Sequence, residues 1–481
     1  MNEFKIMKLI YKFRENFLVS LFLVLVISYF LTRVIVIFSD NIELANGEAN
    51  NVWNILNVLN GRSLYMPPGE KPYEIFQYAP LSQLVYIAII KIFNINDVLS
   101  IYKLLRFFNL IFNILTSLYV FKILKSTIKI NNNVHLWLSF LSLLLLTHQN
   151  WIIRPDAFST FICFFAAGLS FEAINKNQIH KAILSGGVTT ISIFCKQDGM
   201  QLFFIIPIAY LLLSYYKFSL YYVTSAIISF ILLFSVFNII YGNVFLESVI
   251  GGIDNEISFF VAFSVTNRYF QIFSLYPIVI LTIVVYNIFK VRDKICTFIS
   301  LLILGSFVFA ISISLKPGAW INYFTLFNLL GVIIIGYFMQ SISNINIFKS
   351  IYLLFAFYFF SGILFHYISP SISSNKLEFE KKKQISNKVK HYVYGNSCIY
   401  TNDKYLKLFL YDKTIFPNQE YYFISKFKYN NLSEVKKNLF VILETPTLDY
   451  VLRNIMKINN KDLKIVSQID NFTLYKYDNN K

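Results

Sequence analysis

Apolar stretches of about 20 residues, the length that crosses the hydrocarbon core of a bilayer, recur through the first 370 positions of this chain. Their expected positions are 17–38, 101–123, 134–151, 156–174, 179–195, 200–216, 219–241, 268–289, 296–315, 319–340 and 349–368. Inside lipid every backbone N–H and C=O must find its partner within the protein, so such segments fold as helices packed on one another. A soluble domain carries about 25% charged residues. Here 14% are charged and 56% hydrophobic, which excludes a water-soluble globule. The net charge of +17 is no nucleic-acid footprint, because the basic residues gather at segment ends and in the tail, where membrane orientation and anionic lipid account for them. Cys163, Cys195 and Cys296 lie in apolar segments and Cys398 stands alone in the tail, so neither a metal-ligand spacing nor a disulfide framework emerges. The first segment, Phe17–Phe38, is too long for a signal-peptide core and is expected to be an uncleaved anchor.

One further apolar piece, Ala79–Phe93, is shorter and begins at Pro80. Its length suits a juxtamembrane or re-entrant helix. The distribution of basic residues favours that choice. Lys5, Lys8, Lys12 and Arg14 place the amino terminus inside. If 79–93 does not cross, Lys122, Lys125, Lys129, Lys176, Lys181, Lys217, Lys290, Arg292 and Lys294 also fall inside. The acidic loops, 39–80 and 241–267 (Glu247, Asp254, Glu256), then fall outside, with Lys91, Lys103 and Arg106 left on the less favoured side. The expectation is an all-α bundle of about eleven spans over 1–370, amino terminus inside and carboxyl terminus outside. After Pro370 the composition turns polar, and strand-length runs such as Leu439–Leu443 and Leu463–Val466 alternate with helix-like stretches. Residues 371–481 are expected to form a small α/β domain outside the membrane.

With the spans so placed, the unusual polar groups converge on one face: Glu48, Arg154 with Asp156, Lys196 with Gln197 and Asp198, and Lys316 with Asn322 and Tyr323. Ionisable groups at membrane depth are costly and mark function by default, although lone lysines near helix ends also snorkel to the interface. Glu48 is the candidate general base, a carboxylate able to take the proton of an attacking hydroxyl, with Gly47 before it permitting a tight backbone turn. The same residue also reads as an acidic helix start favoured by the dipole. Asp40 and Glu43 stand nearby as substitutes. Arg154 and Lys196 suit phosphate neutralisation, while Asp156 and Asp198 either orient those cations or hold a divalent metal. Lys316-Pro-Gly318, then Trp320 and Asn322-Tyr323, offers a cation, a turn and sugar-binding aromatic and amide groups. An interfacial aromatic belt explains it equally.

The order of these pieces carries a resemblance. Gly47-Glu48, Asn60-Gly61…Leu64-Tyr65, Pro72-Tyr73, Tyr78-x-Pro80-Leu81, Arg154-x-Asp156, Lys196-Gln197 and Lys316-x-Gly318 with Asn322-Tyr323-Phe324 span residues 15–340. In this the chain resembles the GT-C superfamily of polytopic membrane glycosyltransferases, in particular the glycosyltransferase 39-like group related to the protein mannosyltransferases and aminoarabinose transferases. The resemblance implies a hexosyl- or pentosyltransferase of a bacterial cytoplasmic membrane. It implies a polyprenyl-phosphate sugar donor, a glycan, lipid or protein acceptor, a base in the first outer loop, and non-crossing helices within that loop. Tyr65 and Tyr78 then join the substrate-binding set. Many members carry Asp or an Asp-Glu pair where this chain has Gly47-Glu48, which puts a two-carboxylate metal site in doubt. Two other classes fit the composition: a transporter or flippase of lipid-linked saccharides, and a non-catalytic relative that binds lipid-linked sugar. Against the first, no internal repeat is visible and the polar clusters lie at segment ends rather than midway.

Overall fold

The computed structural model describes residues 24, 27, 28, 30–39, 47–129, 132–150, 152–251, 257–273, 275–291, 293–341, 376–393, 395, 397–417, 429, 432–445, 447–449 and 451–478. Asp40, Glu43, Asp254, Glu256, the segment 349–368 and ten of the residues 17–38 lie outside the described residues. After a helical stretch over 30–37 come α1 (Glu48–Leu59), α2 (Pro80–Phe93), α3 (Val98–Thr127), α4 (Asn132–Gln149), α5 (Asp156–Lys176), α6 (Ile179–Cys195), α7 (Met200–Leu212) and α8 (Tyr216–Tyr241). They are followed by α9 (Asn243–Gly251), α10 (Phe259–Phe273), α11 (Tyr276–Tyr286), α12 (Lys294–Ile313) and α13 (Thr325–Ser341).

Among the described residues five helices are long and apolar enough to cross a membrane: Val98–Thr127, Asp156–Lys176, Tyr216–Tyr241, Lys294–Ile313 and Ile321–Gln340. The span expected at 268–289 is instead a pair, Phe259–Phe273 and Tyr276–Lys290, bent by 94°. Pro277, in the first turn of α11, has no N–H to extend the ladder of α10 and starts a new helix. Helix α2 has 14 residues, about 21 Å at 1.5 Å per residue, short of a hydrocarbon core of about 30 Å. It starts on Pro80 and stops at Asn94 in the left-handed conformation. Helix α3 has 30 residues, about 45 Å, and so is longer than a bilayer core of about 30 Å is thick. Its N-cap is Asp97, which accepts from the Ser100 N–H at 2.9 Å.

Lipid tails are as apolar as leucine, so helices in a bilayer are held together by close packing and interhelical hydrogen bonds rather than by exclusion of water. The α6–α8 contact shows both. A Cβ on Gly186 would lie 2.3 Å from the Tyr222 carbonyl oxygen, so only glycine lets the two backbones come this close. The Thr190 hydroxyl donates to the Ala226 carbonyl at 2.8 Å, the Ser225 hydroxyl to Ile183 at 2.8 Å, and the Tyr222 hydroxyl to the Thr189 oxygen at 2.9 Å.

The tail forms the expected small α/β unit. It contains α14 (Lys376–Lys390), β1 (Cys398–Thr401), α15 (Lys404–Phe409), α16 (Leu432–Lys437), β2 (Leu439–Leu443), β3 (Leu463–Ile469) and β4 (Phe472–Tyr477). The sheet order is β1-β2-β4-β3, with β1 and β2 parallel and the other pairs antiparallel. Every residue of β1 and β2 is buried, as a parallel pair covered on both faces requires. This unit packs against the loop that carries α1. Phe379, Tyr405 and Leu408 share a core with Val52, Trp53 and Tyr86. Phe416 stacks on Tyr73 with ring centres 4.7 Å apart, and its N–H donates to the Pro72 carbonyl at 2.8 Å.

Candidate functional site

Helix α1 begins abruptly. Gly47 has φ +94°, a left-handed value that a side chain resists, and a Cβ there would lie 3.3 Å from Nη2 of Arg154. Glycine at this position therefore both turns the chain and lets the Arg154 guanidinium lie against the backbone. From this start α1 presents Asn50, Asn51 and Asn54 to a cavity of about 40 Å³. The opposite wall is the extended run Glu74–Tyr78, and Arg154 completes the lining with Gly47. Glu74 is buried, and its Oε1 accepts from Asn54 Nδ2 at 3.1 Å. The volume is far below the 300–1,000 Å³ of ordinary ligand pockets and suits water.

Glu48 sits just behind this cavity, not in its lining. Its carboxylate accepts from Arg106 Nε at 3.1 Å and Nη2 at 2.7 Å, and from the Ile153 N–H at 2.9 Å. Both side chains are fully buried. A two-pronged guanidinium–carboxylate pair of this kind fixes orientation as well as charge. Here it ties the start of α1 to α3 and to the segment that ends in Arg154. Arg106 is one of the basic residues that the topology argument left on the less favoured side. Paired with Glu48, it is no longer a free charge for orientation. Arg106, Asn109 and Asn113 form a stripe at i, i+3 and i+7 along α3. Asn109 donates to the Ile152 carbonyl at 2.6 Å and Asn113 to the Asn150 carbonyl at 3.4 Å. That spacing within an apolar helix is the sequence signal that would have found them.

The short helix α2 braces the same region from the other side. Its Ser82 donates to the Cys195 carbonyl at 3.0 Å, Gln83 to Asn51 Oδ1 at 2.7 Å and Tyr86 to the Arg154 carbonyl at 2.6 Å. Beyond Arg154 lies the second charge cluster. Lys196 Nζ stands 2.6 Å from Asp156 Oδ1 and 2.8 Å from Asp198 Oδ2, and Asn322 Nδ2 donates to Asp156 Oδ1 at 2.6 Å. The Tyr323 ring lies between two ammonium groups, with its centre 4.9 Å from Lys196 and 5.4 Å from Lys316. Burial opposes the charge on Lys196, but Asp156 and Asp198 outweigh it and hold the ammonium well above its ordinary range. That ammonium stands where a metal shared by the two carboxylates would have to sit, so the geometry matches carboxylates that orient a cation. Among the described residues no group of three or more His, Cys, Asp or Glu side chains is placed to hold a metal.

Arg154, Asp156, Lys196, Asp198, Lys316, Asn322 and Tyr323 thus come together, and Tyr78 joins them from the cavity wall. Burial, only partly opposed by Arg154, pushes the Tyr78 phenol up to about 12, so it remains a neutral hydrogen-bonding group. Gln197 points to the same wall and donates to the Gln77 carbonyl at 2.5 Å. Tyr65 does not line the cavity. Its hydroxyl donates to the Tyr78 carbonyl at 2.6 Å, while its ring packs on Phe76, Tyr241 and Phe245. Glu74, Asn50, Asn54 and Arg106 were not anticipated from the sequence.

No family model and no curated protein matches the chain. Solved structures do. ArnT from Cupriavidus metallidurans in the apo state superposes with a TM-score of 0.62 at 10% identity, over 95% of this chain and 98% of that one. The same protein bound to undecaprenyl phosphate gives 0.62 and 10% over 96% and 97%. The chain has the GT-C fold. A third neighbour is the archaeal oligosaccharyltransferase AglB from Archaeoglobus fulgidus, in complex with an inhibitory peptide and a dolichol-phosphate. It superposes with a TM-score of 0.54 at 12% identity, over 89% of this chain and 69% of that one. One neighbour is thus seen with undecaprenyl phosphate and the other, an oligosaccharyltransferase, with a dolichol-phosphate.

Proposed function

We propose that the chain transfers a sugar from a polyprenyl-phosphate donor to a hydroxyl-bearing envelope glycan, lipid or protein on the non-cytoplasmic face. The supporting observation is the cavity itself, whose lining brings Arg154, Glu74 and the asparagines Asn50, Asn51 and Asn54 to one space. In the reaction the bond between the anomeric carbon and the phosphate oxygen breaks, and a bond to the acceptor oxygen forms. The acceptor proton passes to a carboxylate, and the polyprenyl phosphate leaves with one more negative charge than it had as a diester. Arg154 and Lys196 neutralise that charge, with Asp156 and Asp198 holding Lys196 in place. Lys316, Asn322 and Tyr323 extend the binding surface on the Lys196 side, and Tyr78, Gln197 and the asparagines contact the sugar.

For the proton we propose Glu74, which lines the cavity, with Glu48 as the positioning residue behind it. If Glu48 is the base instead, it must first leave Arg106. The two roles separate experimentally. Purified protein is incubated with a panel of polyprenyl-phosphate sugars in vesicles, and cleavage of the donor is followed. Turnover of one donor, lost in Glu74→Gln, supports the reading. Movement of intact donor between leaflets would show a flippase instead. Neither turnover nor binding of any donor would remove the transferase reading.

A further inference from the structure

Among the described residues of the C-terminal unit, Lys407 is unusual in being a buried lysine whose ammonium reaches a cavity-lining residue of the other domain. Carried by α15, Lys407 donates from Nζ to Asn50 Oδ1 at 3.1 Å and to the Pro417 carbonyl at 2.5 Å. Asn50 belongs to the α1 wall of the cavity. Pro417 follows Phe416, which stacks on Tyr73 and donates its N–H to Pro72. The next residue after Tyr73 is Glu74, on the opposite wall. One ammonium therefore links the two walls through a route that runs entirely through the C-terminal unit.

We propose that Lys407 is a positioning residue of the cavity, setting the separation of Asn50 from the Pro72–Glu74 step. The physical case rests on burial. A lysine loses more side-chain entropy on ordering than almost any residue and is almost never buried unless paired. Here its partners are a side-chain amide and a carbonyl on two different structural units. Because both bonds are charge-assisted, they are stronger than neutral ones, and because they converge on one atom, losing it removes this route between the walls and leaves the Asn54–Glu74 bond as a direct tie. The Lys407 ammonium bonds to Asn50 and Pro417, whereas that of Lys196 bonds to Asp156 and Asp198. Lys407 therefore acts on the alignment of the reacting groups rather than on capture of the donor phosphate. The catalytic consequence rests on the transfer reading above, whereas the coupling of the walls does not.

The test uses the full chain in lipid nanodiscs, with Lys407→Met to remove the charge and keep the aliphatic stem, and Lys407→Arg to keep a cation. In Lys407→Met, amide exchange over 47–54 and 72–78 should rise about tenfold while strands 398–401 and 439–443 keep their protection. Lys407→Arg should stay near the wild type. With a polyprenyl-phosphate sugar that the wild type turns over, Lys407→Met should lower kcat by about tenfold and leave the donor KM within about twofold. Unchanged exchange over 47–54 and 72–78 would overturn the coupling. A rise that includes the two strands would also overturn it, since Lys407 would then serve only its own unit. A coupling confirmed by exchange with kcat unaltered would overturn the positioning role. A wild type that turns over no donor would remove the transfer reading and leave the exchange result to stand alone.

Discussion

Replacing Arg106 by Met tests the centre of the structural argument. Arg106 and Glu48 are both fully buried, and the substitution leaves the carboxylate in place without its two guanidinium bonds. Removing one partner of a buried pair costs about 3–5 kcal/mol, because the remaining charge is uncompensated. The Ile153 N–H still reaches Glu48 Oε1, which argues for the lower end, about 3 kcal/mol. In a chain of 481 residues that corresponds to a fall in the unfolding midpoint of about 3 °C. With Trp137, Trp151 and Trp320 replaced by Phe, Trp53, buried in α1 five residues after Glu48, gives a local fluorescence signal for the transition in detergent. Glu48→Gln combined with Arg106→Met removes both charges, so the double variant should recover about 2 kcal/mol relative to the sum of the singles. An Arg106→Met midpoint equal to that of the wild type, or strictly additive singles, would refute the claim that this pair anchors the start of α1.

Three further outcomes follow from the same geometry. Glu74→Gln should lower donor turnover by about 10²–10⁴-fold while binding of undecaprenyl phosphate, measured by native mass spectrometry, is retained; loss of binding instead would make Glu74 a structural residue. Gly47→Ala must adopt a left-handed backbone at a cost of about 1–2 kcal/mol and crowd Arg154, so both the thermal midpoint and undecaprenyl phosphate affinity should fall, and an unchanged affinity would show that Arg154 does not bind phosphate. A topology reporter fused after residue 124 should give a cytoplasmic signal; a signal from the opposite side would overturn the proposed orientation.

The bundle was legible because lipid leaves a chain few options, and long apolar runs announce helices without reference to partners. The bend between α10 and α11 was less so, since hydropathy runs continuously through Tyr276-Pro277 and only the missing proline N–H marks the break. The polar residues at segment ends were legible for the same reason that the spans were: they stand out against apolar surroundings. Their partners were not. Glu48 reads as a helix-start carboxylate until Arg106, 58 residues away, is brought beside it, and the asparagine stripe on α3 stands out from its apolar neighbours without naming the carbonyls it meets. Glu74 was invisible because an acidic residue in a turn-rich loop is unremarkable until the fold buries it beside Asn54 in the cavity wall. The resemblance anticipated the fold more completely than it anticipated which carboxylate faces the cavity.

The glycine contact between α6 and α8 has a consequence for the whole site. Lys196 follows directly on the last residue of α6, so its starting point is set by two helices joined backbone to backbone at Gly186. One jaw of the site is thereby fixed as a datum, insensitive to what is bound. The other, made of α1 and the run to Tyr78, is held by side chains that can exchange partners. On the proposed transfer reading, adaptation to donors of different bulk falls on the adjustable jaw, and substitutions in 47–78 should retune sugar size while leaving the proposed phosphate contact at Lys196 in place.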